Sequence, residues 1–243
     1  MELIKLDAID STNDYLKRLI GHQIVENYTI VSAENQTNGK GQMGSKWAVE
    51  AGKNLTMSIL VRDLLLDLNA VFNLNIAVAL GVIEALEFYN IPKLSIKWPN
   101  DILSDTKKLG GILIENLMKS DREIYSIIGI GLNVNQVNFQ DLPKATSLSV
   151  VQSKEFDKEE LLYKIVVCVK NNVTQLMNND CDTLWQKYNN KLFRKGIPMP
   201  FQYKDGIQFM GIIQGVHKNG RLEILMEDDR IQQFEIKEIQ MLY

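Results

Sequence analysis

Cysteine is scarce in this 243-residue chain. Cys168 and Cys181 are too few for a disulfide framework, and their spacing matches no zinc motif. Both read as ordinary thiols, buried or half-buried. No signal peptide is evident, because Met1-Glu2-Leu3-Ile4-Lys5 lacks a basic start and a long apolar run. Nor is any apolar stretch long enough for a bilayer: Ile76 to Tyr89 is interrupted by Gly81, Glu84 and Glu87. No excess of one charge exists either. The 27 Lys and Arg face 30 Asp and Glu, a formal net charge of −3, which advertises no bulk nucleic-acid binding. Repeats and low-complexity tracts are missing too. The expectation is a cytoplasmic globular chain with neither a membrane nor a nucleic-acid partner.

The length suffices for one large domain and a small one. Ser11-Thr12-Asn13-Asp14 before Tyr15, Leu16, Leu19 and Ile20 predicts a capped amphipathic helix that stops at Gly21. Tyr28 to Glu34 and Leu55 to Val61 read as strands. Between them lies a Gly-rich polar stretch, Gln36 to Asn54. Asn69 to Tyr89 carries apolar residues at helical spacing and is closed off by Pro92. Strands are expected over Leu94 to Lys97, Gly111 to Glu115 and Ile124 to Ile130. Asp157-Lys158-Glu159-Glu160 is a capping box that opens a helix to about Asn178. A shorter helix follows around Thr183 to Tyr188. Past Gly196 the pattern turns to β, over Met199 to Tyr203, Gln208 to His217, Arg221 to Met226 and Ile231 to Ile236. Asp205-Gly206 and Asn219-Gly220 are two-residue hairpin signals. The expected class is α+β: a mixed sheet flanked by helices over residues 1–194, and a small SH3-like β-barrel over residues 195–243.

Gly39-Lys40-Gly41-Gln42-Met43-Gly44 matches the dinucleotide fingerprint G-x-G-x-x-G, with Asp63 where that fold places its ribose-binding acid. The match does not hold. The fingerprint needs a helix after the third glycine, and Ser45-Lys46-Trp47-Ala48-Val49-Glu50-Ala51-Gly52 has no helical stripe, so no helix N-terminus is available to pyrophosphate. A P-loop is excluded as well, because no Gly-Lys-Ser/Thr ends the run. What is left is a loop with free N–H groups and two lysines, Lys40 and Lys46, suited to phosphate or carboxylate. The plain alternative is a surface loop with turn glycines. Lys97-Trp98-Pro99-Asn100-Asp101 gathers a cation, a ring, an amide and a carboxylate at one strand end. The same residues could be a core tryptophan and a turn. Lys107-Lys108-Leu109-Gly110-Gly111 then leads into the next strand, and a lysine there can meet developing negative charge.

Taken together, these segments resemble the biotin–protein ligase family. The pieces stand in the family's order: Asp10-Ser11-Thr12-Asn13, Gln36 through Trp47, Gly52-Lys53-Asn54-Leu55, the Lys97–Asp101 run, Lys108-Leu109-Gly110-Gly111-Ile112-Leu113-Ile114-Glu115, and Gly129 through Asn135. Phe209 through Gly220 resembles the family's small β-domain. The resemblance implies a fold like that of class II aminoacyl-tRNA synthetases and biotin ligases, with catalysis in residues 1–194. It implies adenylation of biotin by ATP with Mg²⁺, then transfer to a lysine of a biotin carboxyl carrier domain of a carboxylase. Biotin would meet Ser11, Thr12, Asn13, Gln36, Lys40, Gly41, Gln42, Lys108 and Gly111. Ser11 and Gln36 would hold its ureido head. ATP would meet Gly39, Lys40, Gly41, Trp47, Lys97, Asn100 and Asn133. Lys108, Lys40 and Asp101 would be the catalytic set, Asp101 organising the site by way of the magnesium shell, with no metal ligand assigned among protein side chains.

The family loop often carries arginines, in a G-R-G-R-x-G-R-x-W pattern. Here Lys40, Gln42, Met43 and Ser45 occupy the variable places, which implies a looser grip on the adenylate. Some relatives begin with a DNA-binding helix-turn-helix. This chain is expected to start at the catalytic domain, as a monomer or homodimer. A lipoate–protein ligase, or a non-catalytic biotin or nucleotide sensor, is the alternative.

Overall fold

The computed structural model describes residues 2–47, 50–62, 71–118, 124–178 and 180–243. Asp63, Ala48, Val49 and the expected first two residues of the 69–89 helix lie outside them. A seven-stranded sheet has the order β1-β2-β3-β7-β6-β5-β4. Its strands are β1 (Leu3–Ile9), β2 (Ile30–Gln36), β3 (Leu55–Val61), β4 (Leu94–Lys97), β5 (Asp101–Ser104), β6 (Lys107–Met118) and β7 (Ile124–Leu132). The β1–β2 pair is parallel and the others are antiparallel, so the sheet is mixed as expected.

The two faces of the sheet read differently, because side chains alternate along each strand. One face turns Met57, Ile59, Ile128 and Ile130 into the main core under three helices: α2 (Val71–Phe88), α4 (Lys158–Met177) and α5 (Cys181–Lys191). The α2 helix is long and apolar enough to pass for a membrane span. Eleven of its residues are buried, and it packs on α4, α5 and the sheet. The opposite face buries Val31, Leu60 and Ile127 under Leu16 and Ile20 of α1 (Thr12–His22). Further along those strands the same face changes composition, to Thr56 and Ser58 on β3, Gly129 and Gly131 on β7, and Gly111 on β6. Registers Ser58↔Gly129, Thr56↔Gly131 and Gly111↔Gly131 set these small residues side by side. Beyond the end of α1 the sheet is therefore bare, and a cleft opens there.

A short helix, α3 (Leu148–Gln152), follows β7. The C-terminal part forms a five-stranded antiparallel sheet in the order β11-β10-β9-β8-β12. Its strands are β8 (Pro198–Tyr203), β9 (Gln208–Val216), β10 (Leu222–Met226), β11 (Ile231–Phe234) and β12 (Ile239–Met241). The expected barrel is not closed, since β11 and β12 remain edges. The apolar core runs without a break from α2 into Phe201, Ile213, Leu222 and Phe234. Trp98 fastens the two parts by donating its Nε1–H to the Gly220 carbonyl at 2.8 Å. Gly220 has φ +88°, and a Cβ there would stand 2.8 Å from the Phe72 ring, so both the turn and the docking require glycine.

Several local expectations need correction. The α1 helix runs through Gly21 to His22, because Gln23 N–H still reaches the Leu19 carbonyl. The Asp-Gly and Asn-Gly pairs do not make two-residue turns. Within each pair it is the glycine alone, Gly206 or Gly220, that takes positive φ. His217 N–H bonds to the Arg221 carbonyl and Gly220 N–H to the His217 carbonyl, which is a longer connection ending in a left-handed glycine. Lys107 and Lys108 lie within β6 rather than in a lead-in loop, paired with Ser104 and Leu103 of β5.

Candidate active site

The cleft has a volume of about 350 Å³. It runs over the bare part of the sheet, from the N-terminus of α1 to the β4–β5 turn, and the Gly-rich loop covers it. Asp10 prepares one end. Its carboxylate accepts from Ser11 N–H at 2.8 Å and from both Arg18 guanidinium nitrogens at 2.8 and 2.9 Å. Those bonds hold its pKa down at about 2. Ser11, Thr12 and Asn13 follow, all buried and all lining the cleft. Ser11 Oγ receives Asp14 N–H at a long 3.4 Å, a weak cap that leaves its O–H proton free for a ligand. Gln36 Oε1 takes Thr12 N–H at 2.8 Å and Thr12 O–H at 3.1 Å. The Gln36 amide nitrogen is thereby turned away from Thr12 and available as a donor.

At the other end the Trp98–Pro99 peptide is cis. Asn100 is fixed by two bonds across to Ile112, Nδ2–H to the carbonyl at 2.6 Å and the returning Ile112 N–H to the Asn100 carbonyl at 3.0 Å. Asp101 then faces two cations. Lys108 Nζ is 2.6 Å from Oδ1, and Lys97 Nζ is 4.0 Å from Oδ2. A Cβ on Gly111 would stand 3.4 Å from Lys108 Nζ and 3.5 Å from Asp101 Oδ1, so this glycine leaves space beside the pair. Lys97 also lies 5.1 Å from the centre of the Tyr243 ring, which a second cation, Lys144, approaches at 4.4 Å.

The glycine loop folds back on itself. Lys40 pairs with Lys46, Gly41 N–H bonds to the Ser45 carbonyl, and Trp47 N–H bonds to the Gly39 carbonyl. The N–H groups of Gly41, Ser45 and Trp47 are therefore spent inside the loop, and the expected open nest is narrower than the sequence suggested. Met43 and Gly44 take positive φ at the tip, where Lys237 donates to the Met43 carbonyl at 2.5 Å. Lys40 lines the cleft, yet its ammonium is paired with Asp14 Oδ2 at 2.6 Å, which raises its pKa. Trp47 lies over Gly131, where a Cβ would come within 2.4 Å of the indole. Its Nε1–H is buried and meets no acceptor among the described residues. An unsatisfied buried donor on a cleft wall is costly unless a ligand accepts from it.

Of the residues singled out in the sequence, Ser11, Thr12, Asn13, Gln36, Lys40, Gly41, Gln42, Trp47, Lys97, Asn100, Asp101, Lys108 and Gly111 line this one cleft. Two do not. Asn133 is buried, donating Nδ2–H to the Thr146 carbonyl at 3.0 Å. Its backbone N–H bonds to the Leu109 carbonyl at 2.7 Å. The Asn133 side chain thus ties β7 to the 144–148 segment. Gly39 packs against the Trp47 carbonyl and the Gln36 amide behind the wall. Thr56, Gly129, Gly131, Ile236 and Lys237 line the cleft without having been foreseen. The alternation of β3 and β7 could have signalled the first three. Nothing local could have signalled the last two, which arrive from the C-terminal sheet. Among the described residues Asp101 is the only carboxylate in the lining, and no cluster of three metal-ligating side chains exists. The cleft can hold an elongated ligand, with hydrogen-bonding groups for a polar head at one end and cations for phosphate or carboxylate at the other.

Comparison with known proteins agrees with this geometry. The model of the biotin/lipoate A/B protein ligase family matches residues 6–135. A bifunctional ligase/repressor BirA from Bacillus spizizenii is 34% identical over 193 residues, 76% of this chain and 59% of that protein. The chain therefore spans about three-fifths of that relative's length. A biotin–[acetyl-CoA-carboxylase] ligase from Mycobacterium tuberculosis is 28% identical over 216 residues, covering 87% of this chain and 79% of that one. The structure of a biotin protein ligase from Aquifex aeolicus in complex with biotin and ATP is similar throughout, with a TM-score of 0.82 and 28% identity over 99% of this chain and 98% of that one. With more than half of its length matched by the family model, the chain belongs to the biotin/lipoate A/B protein ligase family.

Proposed function

We propose that this chain is a biotin–protein ligase that makes biotinyl-5'-AMP and passes the biotinyl group to a lysine of a carrier protein. The observation that carries this reading is the single cleft that joins the Ser11–Asn13 and Gln36 head to the Lys97, Asp101 and Lys108 end. A ureido ring offers one carbonyl and two N–H groups. Ser11 O–H and the Gln36 amide nitrogen can donate to the carbonyl, and Asn13 Oδ1 can accept from a ring nitrogen. The Aquifex relative with biotin and ATP bound shares the whole fold.

In the first step a carboxylate oxygen of biotin attacks the α-phosphorus of ATP, and the bond to pyrophosphate breaks. Two anions must meet, so cations have to neutralise both. Lys108 does this by leaving Asp101 for the forming bond, while Lys97 stays close to the Asp101 carboxylate. ATP enters as its magnesium complex. Among the described residues of the cleft, Asp101 would be the carboxylate placed to meet that ion, which would offset phosphate charge. Trp47 Nε1–H supplies a donor for the nucleotide, and the loop over the cleft excludes water from the reactive anhydride. In the second step the neutral amine of the acceptor lysine attacks the acyl carbon and AMP departs. The acceptor is a biotin carboxyl carrier domain of a carboxylase. We place the reaction in the cytoplasm, with the enzyme as monomer or homodimer, and with residues 195–243 lending Ile236 and Lys237 to the wall of the cleft.

Lipoate is the competing substrate within the family. Pyrophosphate exchange into ATP separates the two. Exchange driven by biotin and not by lipoate is expected. Exchange driven by lipoate alone would replace this reading with lipoate activation.

A further inference from the structure

We infer that Glu115, locked by Lys17, is a positioning residue that fixes the orientation of the Asn13 amide and so sets the order of donors and acceptors at the head of the cleft. This deepens the proposed reading and rests on it for the identity of the ligand. Glu115 sits on β6, on the same sheet face as Gly111, and is not among the residues that line the cleft.

The Asn13 side chain is almost fully buried, so which way its amide points is decided by its neighbours. Glu115 Oε2 accepts from Asn13 Nδ2–H at 2.8 Å. An ionised carboxylate accepts and cannot donate, so it excludes the flipped amide, whose oxygen would face it. On the other side Asn13 Oδ1 is 2.5 Å from Ser58 Oγ, and Ser58 O–H can donate to it. The oxygen rests against Gly129, where a Cβ would come within 2.6 Å of it. Glu115 is itself held, because Lys17 Nζ is 2.6 Å from Oε1 and 3.4 Å from Asp14 Oδ1. The carboxylate, the glycine and the hydroxyl act together, and Asn13 presents an oxygen rather than an NH₂ to the cleft. A ring N–H is then accepted there, and a ligand with a carbonyl in that place is refused.

The test exchanges the two groups. Glu115→Gln lets the Asn13 amide turn and should weaken biotin binding by ~10-fold in titration calorimetry. Asn13→Asp alone sets two carboxylates face to face and should weaken it by at least ~10-fold. The double variant swaps amide and carboxylate, restores an oxygen toward the cleft, and should return to within ~3-fold of the unaltered protein. A group that merely supported the fold would not be rescued this way. Additive losses in the double variant, or an unchanged Kd in Glu115→Gln, would overturn the inference. A second arm needs no ligand: the Asn13 side-chain NH₂ is followed by ¹⁵N NMR. Its protons should exchange faster and shift in Glu115→Gln, and identical spectra would also overturn it. Failure of the unaltered protein to bind biotin would instead strike the proposed function, with the NMR arm still deciding the role of Glu115.

Discussion

Lys108→Ala separates chemistry from binding and from stability. In the resting structure Lys108 is bonded to Asp101 at 2.6 Å, with side chains 36% and 20% exposed. A pair as open as this stabilises the fold by at most about 1 kcal/mol. Lys97, 4.0 Å from the other Asp101 oxygen, still neutralises part of the charge after the change. The melting temperature should therefore fall by no more than about 4 °C. The effect on adenylation should be far larger. The ammonium is needed where charge develops between carboxylate and phosphate, and removing one such group costs about 10²–10³ in rate. Biotin affinity should change less than ~5-fold, because the head group is held at the far end of the cleft. Single-turnover release of pyrophosphate gives the rate, and titration calorimetry gives the Kd. Equal losses in both would refute the assigned role, since they would mean that Lys108 binds ground state and transition state alike. A collapse of the melting temperature would show that the ion pair is structural.

Three further outcomes follow from close contacts and one titrating group. Gly131→Ala would force the Trp47 indole from its seat, since the new Cβ would lie within 2.4 Å of it. ATP affinity should fall by ~10-fold or more with biotin affinity less affected, and equal losses would show that Trp47 does not serve the nucleotide. Gly81→Ala would place a Cβ 2.7 Å from the Val169 backbone, where α2 and α4 cross. Urea unfolding should show a loss of about 1–3 kcal/mol, and an unchanged midpoint would contradict the tight crossing. The third concerns Asp10, whose pKa is held at about 2 by Arg18 and Ser11 N–H, below the ordinary 3.8. A lowered folded pKa gives stability that is present above about pH 3.8 and lost as pH falls toward 2. Arg18→Met should flatten the decline of melting temperature over that window, by an amount limited by the exposure of the pair. An equally steep decline would remove the pair from the account.

The helices and most strands were legible because their apolar periodicity is strong, as in α2 and β3. The strand β1 escaped because Leu3–Ile9 has no buried position in the final fold and its burial pattern is irregular. The strands β5 and β12 have four and three residues, too few for alternation to declare itself. Gly21 does not stop the helix, because a helix can pass through a glycine at modest cost when the following N–H still reaches the carbonyl one turn back, as Gln23 N–H reaches Leu19. The site was legible where its residues are contiguous, in Ser11–Asn13 and Lys97–Asp101. It was hidden where tertiary structure assembles it, as with Lys237 arriving at Met43 from residues nearly two hundred positions away. The glycine loop has the composition of an open nest, and a sequence cannot show that its N–H groups close a hairpin.

The central claim is that the two ends of one cleft join biotin to a protein lysine. Its most direct test is the intact mass of a biotin carboxyl carrier domain after incubation with the purified protein, biotin, ATP and Mg²⁺. The account predicts a gain of one biotinyl group on a single lysine, dependent on ATP and lost in Lys108→Ala. A carrier domain of unchanged mass, with biotin and ATP still bound by the protein, would contradict it and leave a binding protein without transfer activity.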